Sequence, residues 1–384
     1  TLSSKIIRLD HSGIISRGNE TFPSLSNASI HFIFQTENKN IWVLQNNGLS
    51  FFDFKSPFIC AFDQASVYDI LVKDNFVYLA TNNGIFYSKF STNANAFNFI
   101  KFEGLQGQSW SIQNIENDIL LCHDTGIYKL SDGTFEKIDT QAGFWKITAI
   151  NDNPGLYLAS NYVGLYLITK EEGHWKIVNK IKGFDESSRD ILADTEPNTY
   201  WVCHGYKGVY KLHFNSDYSR VDAVDHFTDK NGFKSPYNIN VFNWKGKIIF
   251  TTNTGIYDYN NHNSRFELYE PLNKLFDPTK NTRKILVANN KTWFIQDDEA
   301  GYFDSNSENP KLNKDLFLNL KGSFNRGMES IYPLSNGKVF FGTNSGLYLY
   351  TILDNKVTGK YPTIISKINY FHNQKIELIE IDSD

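Results

Sequence analysis

One hairpin pattern recurs eight times between Ile30 and Tyr350, and no other feature limits the fold of this chain so tightly. Each copy is a short apolar strand, a polar turn closing on Gly, then a second apolar strand. The copies are IWVLQNNGLSFF (41–52), VYLATNNGIFYS (77–88), ILLCHDTGIYKL (119–130) and LYLASNYVGLYL (156–167). They continue as YWVCHGYKGVYKL (200–212), KIIFTTNTGIYDY (247–259), KTWFIQDDEAGYF (291–303) and KVFFGTNSGLYLY (338–350). The turn glycines are Gly48, Gly84, Gly126, Gly164, Gly208, Gly255, Gly301 and Gly346, at an average spacing of about 43 residues. Asn-Asn-Gly and Asn-Thr-Gly suit hairpin turns because Gly takes positive φ without a Cβ clash.

Another alternating segment precedes each hairpin, such as IHFIFQ (30–35), YDILVK (68–73) and YNINVF (237–242). A weaker one follows most of them, such as FNFIKF (97–102) and TFEKID (134–139). Four strands per period predict an all-β chain and a single β-propeller of four-stranded blades over residues 1–360. The literal count is eight blades. Seven is the alternative, if one repeat belongs to a neighbouring propeller. KIIRLD (5–10) is expected to supply an outer strand that closes the ring. Residues 361–384 break the repeat and read as an exit strand and the truncated start of a following domain.

Composition agrees with an all-β fold. There are 7 Trp, 21 Tyr and 31 Phe against a single Met, and aromatics suit pleated surfaces. The formal charge of −4 excludes an overall basic footprint, so no direct nucleic-acid binding is expected. Cys60, Cys122 and Cys203 are too few and too scattered for a disulfide framework or a zinc site. No apolar run reaches the roughly 18–20 residues that span a bilayer. The start lacks both a signal-peptide pattern and an initiator Met, which reads as an excised or processed piece of a longer protein.

No nucleophile elbow, phosphate loop or HExxH metal motif is present, and the nine His residues show no paired ligand spacing. No cofactor or metal is therefore expected. Two repeats depart from the small polar turn: Asn161-Tyr162-Val163-Gly164 and His204-Gly205-Tyr206-Lys207-Gly208. Their turns open on the face where chain enters the first strands, and loops on a rigid scaffold commonly carry function. The candidate ligand-binding residues on that face are Gln108, Trp110, Trp145, Tyr162, Arg189, His204, Tyr206, Lys207 and Arg326. Aromatic rings with Arg and amide groups suit a small molecule, a glycan or a protein partner. Trp42, Trp201 and Trp293 share one strand position and read as packing between blades.

The segments LATNNGIFY (79–87), FTTNTGIYDY (250–259) and FGTNSGLYLY (341–350) resemble the two-component-regulator propeller family. NNGLSFFDFKSPF (46–58), GQSWSI (107–112) and GFDESSRDILAD (183–194) are similar to its triple-tyrosine regulators, with related hybrid histidine kinases sharing the same propellers. The resemblance implies the periplasmic sensor region of a Bacteroidetes inner-membrane regulator, with a β-sandwich beginning in the tail. A membrane helix and a LuxR-type helix-turn-helix or kinase output would follow, and the full-length protein would form a homodimer. A non-catalytic sensor is thus the leading reading. The alternative is a propeller enzyme, a polysaccharide lyase or glycoside hydrolase, with paired acids at the channel. First strands offer only scattered acids, Asp69 and Asp190 among them.

Overall fold

The structure is a computed structural model that describes residues 29–36, 40–52, 56–91, 97–351, 367–372 and 375–380. Five four-stranded antiparallel sheets follow one another within 67–101, 109–137, 144–180, 190–227 and 240–268. A sixth sheet, within 282–304, has three strands, and an isolated bridge from Tyr302 to Asn313 stands where its fourth would lie. The seventh combines Ser330–Pro333, Lys338–Thr343 and Gly346–Thr351 with Phe58–Phe62, which pairs against Gly346–Thr351.

The first strands of these sheets lie side by side in a closed cycle. They are Val67–Lys73, Ser109–Ile115, Phe144–Ala149, Asp190–Ala193, Asn240–Trp244, Thr282–Ala288 and Ser330–Pro333. The architecture is a β-propeller. Seven sheets close it, which corrects the literal count of eight. An early strand, Phe58–Phe62, completes the last blade, so the repeat before it stands outside the cycle. That repeat forms a three-stranded sheet of its own from Ile30–Gln35, Ile41–Gln45 and Gly48–Phe52. Val43 is buried there, but most of its large apolar side chains are exposed, Trp42 by 37%. Trp42 is therefore not packed between blades, whereas Trp201 and Trp293 are, each 1% exposed. The expected closing segment, residues 5–10, lies outside the described residues, and Phe58–Phe62 fills that role.

The second strand of each blade is buried on both faces between its neighbours, which explains why these strands read as continuous apolar runs. Aromatic packing joins adjacent blades: Trp201 meets the rings of Phe250 and Phe266 at centroid distances of 5.0 and 6.0 Å. The Thr-x-x-Gly signature has a local cause. The hydroxyls of Thr81, Thr252 and Thr343 donate to the carbonyls of Gly84, Gly255 and Gly346 at 2.7, 2.9 and 2.9 Å. The same hydroxyls accept the N–H of Asn83, Thr254 and Ser345. In three other turns a different residue keeps the acceptor: Asn161, His123 and His204 take the N–H of Val163, Thr125 and Tyr206.

Gly301 does not belong with the other turn glycines. It lies within Glu299–Asp304, opposite Phe294, and the turn falls two residues earlier. Gln296 pairs with Glu299 as Thr81 pairs with Gly84, so Glu299 occupies the turn-glycine position of the sixth blade. Asp297, at φ 50°, supplies the left-handed residue there. Residues 352–384 form a second compact unit, whose described part is a hairpin of Lys367–His372 and Lys375–Glu380.

Candidate functional site at the channel mouth

The channel mouth is built by a repeated irregularity at the start of the inner strands. In four blades the pairing register skips one residue, between Val67 and Asp69, Ser109 and Ser111, Phe144 and Lys146, and Thr282 and Lys284. A bulge of this kind leaves one residue unpaired and re-aims its side chain. The skipped residues are Tyr68, Trp110, Trp145 and Arg283, and all four line one cavity of about 120 Å³.

Blades one to three contribute an aromatic wall. Tyr68 stacks on Trp110 at 5.5 Å and 11°, and Trp110 meets Trp145 at 4.6 Å. Tyr162, from the turn between the second and third strands of blade three, meets Trp145 at 4.7 Å. Trp110 Nε1 donates to Tyr162 Oη at 2.7 Å, and Trp145 Nε1 to Ser187 Oγ at 3.3 Å. Gly143 makes room for this wall, since a Cβ there would lie 2.4 Å from the Tyr162 ring.

Charged groups from blades four, six and seven line the same cavity. Arg189 Nε lies 3.2 Å from Asp190 Oδ2, and Arg283 Nη2 lies 3.2 Å from Asp297 Oδ1. Gly327, at φ 80°, lets the Arg189 guanidinium settle against the chain, because a Cβ would stand 2.2 Å from Nη1. The Gly327 N–H donates to Glu329 Oε1 at 3.0 Å. Burial raises the Glu329 carboxyl above its ordinary value. Lys146 and Lys284 line the same cavity, and burial, then the Lys146 charge, lowers the Lys284 ammonium.

Asp69 serves as a brace. Its two carboxylate oxygens accept the N–H groups of Ile70 at 2.9 Å and Ile112 at 3.0 Å, tying blade one to blade two. Gln113 repeats the device with both polar groups of Ile147 on blade three. Burial raises the Asp69 carboxyl. Asp69→Asn leaves one backbone N–H facing a donor, and is expected to cost about 1–2 kcal/mol in denaturant unfolding. An unchanged midpoint would show that Asp69 does not brace the two blades.

Of the residues singled out by sequence, Trp110, Trp145 and Tyr162 share one ring cluster, and Arg189 lines the same cavity. Gln108, His204, Tyr206, Lys207 and Arg326 are not among its lining residues. Gln108 is exposed, and its carbonyl accepts the Asp124 N–H. His204 Nδ1 is engaged as the turn acceptor, and burial lowers its imidazole. Lys207 pairs with Glu186 at 2.7 Å. Tyr206 is 76% exposed, with His204 as its ring neighbour, so it does not join Tyr162 and Trp145. Arg326 is exposed one residue before Gly327. Tyr68, Lys146, Arg283, Lys284 and Glu329 were not singled out. Their common signal is position, one or two residues before the buried Ile of each first strand.

No family model matches the sequence, and no curated protein matches it. Solved structures do. One is described as the extracellular domain of the hybrid two component system BT3049 from B. thetaiotaomicron, 17% identical with a TM-score of 0.61. It aligns over 93% of this chain and 49% of that one. A second is described as the extracellular domain of hybrid two component system BT4673 from the same organism. It is 14% identical, with a TM-score of 0.56 over 97% of this chain and 55% of the other. What they share is the fold. YCF48 bound to D1 peptide is also similar, at 14% identity and TM-score 0.55, over 77% of this chain and 94% of its own. The chain spans about half the length of the two-component extracellular domains.

Proposed function

We propose that this propeller is the ligand-receiving, non-catalytic module of an extracytoplasmic sensor, coupled in the full protein to a membrane-spanning transcriptional regulator. One observation carries the reading: the residues skipped by three consecutive bulges pack into an aromatic wall at the channel mouth and share one cavity with cationic side chains. Rings held on inner strands lose little freedom on binding, and a concave site with a few placed polar groups is the usual form of a ligand pocket. The description of two structural neighbours as extracellular domains of two-component systems supports the sensor role and the extracytoplasmic location. The lyase or hydrolase alternative has no comparable support, since Asp69 is occupied by backbone N–H groups and Asp190 by Arg189.

The test is a reporter driven by the full-length regulator. Trp145→Ala and Arg189→Ala should each lower the response at least tenfold while the purified propeller melts within a few degrees of wild type. Tyr206→Ala, on the neighbouring exposed turn, should respond like wild type. A wild-type response from both Trp145→Ala and Arg189→Ala would sink the channel-mouth reading.

A further inference from the structure

The inner strands place one residue per blade immediately before the buried apolar residue, and these positions ring the channel. On blades three and six that residue is lysine, Lys146 and Lys284. Blades three and six lie nearly opposite each other in a ring of seven, and both lysines line the one cavity. The other charges of the lining are matched. Arg189 has Asp190, Arg283 has Asp297, Asp69 holds two backbone N–H groups and Glu329 holds one. Neither Lys146 nor Lys284 makes an ion pair within 4.0 Å or a side-chain hydrogen bond among the described residues. Two ammonium groups in one cavity repel each other, burial strengthens the repulsion, and the carboxylates of Asp69, Asp190 and Glu329 offset only part of it for Lys284. Burial, then the Lys146 charge, lowers the Lys284 ammonium, against the opposing pull of the Asp69, Asp190 and Glu329 carboxylates.

We infer that the channel mouth is an oxyanion site: a carboxylate or sulfate group of the ligand sits between Lys146 and Lys284, with the ligand body against Trp110 and Trp145. The inference rests on the channel-mouth reading above and adds the charge of what binds there. An oxyanion cancels the repulsion and accepts hydrogen bonds from both ammonium groups, and charge-assisted bonds of this type are the strong ones. The aromatic wall alone offers faces to a neutral ring. It does not explain two lysines beside it that make no ion pair.

The experiment titrates the intact chain with sodium sulfate, sodium glucuronate and neutral glucose at constant ionic strength set with sodium chloride. Heat of binding and tryptophan fluorescence are both followed. Sulfate and glucuronate should bind saturably, with glucose at least tenfold weaker. Lys146→Met and Lys284→Met should each weaken glucuronate at least tenfold, whereas Lys284→Arg should stay within about threefold. Both Met variants should melt within a few degrees of the wild type, so lost binding is not lost folding. Equal binding of glucose and glucuronate, unchanged by the Met variants, overturns the oxyanion site and leaves the ligand-receiving reading standing. Failure of both sulfate and glucuronate to bind a folded chain also overturns it. Binding of sulfate without glucuronate, unchanged by the Met variants, means an adventitious ion only, and overturns it as well.

Discussion

Gly346→Val is expected to lower the stability of the propeller by about 3 kcal/mol or more. Gly346 opens the third strand of the seventh blade at φ 143°, in the region that β-branched residues resist. A Cβ at that position would lie 1.8 Å from the carbonyl oxygen of Phe62 and 2.8 Å from its carbon. That carbonyl is backbone and cannot swing aside as a side chain would. Phe62 belongs to the strand that closes the ring, and it pairs with Leu347, the residue beside the substitution. The variant therefore strains a turn and pushes apart the pairing that joins the two ends of the ring. Gly48→Val is the matched control. Gly48 has a similar φ of 154° but nothing within 4 Å of its Cβ, and its sheet stands outside the ring. Its cost should stay near about 1 kcal/mol. Thermal melts with limited proteolysis of the 56–66 region decide the matter. Equal losses for the two variants would show that closure does not depend on Gly346.

The strands and hairpins were legible because their causes are local. Alternation marks the half-buried strands, and Thr-x-x-Gly marks a turn whose hydroxyl both donates and accepts. The ring size was not legible from the count, because closure depends on which blade receives Phe58–Phe62. That is a pairing across nearly 300 residues, and both strands look alike in sequence. The misplaced Gly301 has a similar origin. Asp297-Asp298-Glu299 is a turn without glycine, and a search for glycine passes over it to the next one.

The site divides along the same line. Trp110 and Trp145 stand out in any sequence, and Tyr162 stands out against the small polar turns of the other repeats. Tyr206 stands out for the same reason, yet it belongs to a longer turn that points its ring to solvent. Lys146 and Lys284 look like ordinary charged residues of alternating strands. Only closure of the ring brings blades three and six to face each other, and only then do the two lysines share a cavity.

The second large effect concerns acid and the sixth blade. Glu299, at the turn-glycine position, accepts from Lys280 at 3.0 Å, Lys314 at 3.2 Å and Lys321 at 3.1 Å. Its side chain is 17% exposed, and these bonds, that of Lys280 foremost, pull the carboxyl from 4.5 down to about 2. Lys280 precedes the strand that carries Arg283 and Lys284, and Lys321 precedes the loop that carries Gly327 and Glu329. One carboxylate thus fixes both segments that deliver the charged side of the channel mouth. A carboxyl depressed on folding stabilises fully above its unfolded value and loses that contribution as the pH falls through its folded value. The window here runs from about 4.5 down to about 2. With a discount for the half-exposed Lys321, the contribution at neutral pH is about 2 kcal/mol. Glu299→Gln should therefore be less stable than wild type by about that amount at pH 7. The gap should narrow below pH 4.5 and close near pH 2. Other carboxylates titrate in both proteins and cancel in the difference, so the narrowing belongs to Glu299. A gap that stays constant from pH 7 to pH 3, or none at pH 7, would show that the three lysines do not act through this carboxylate.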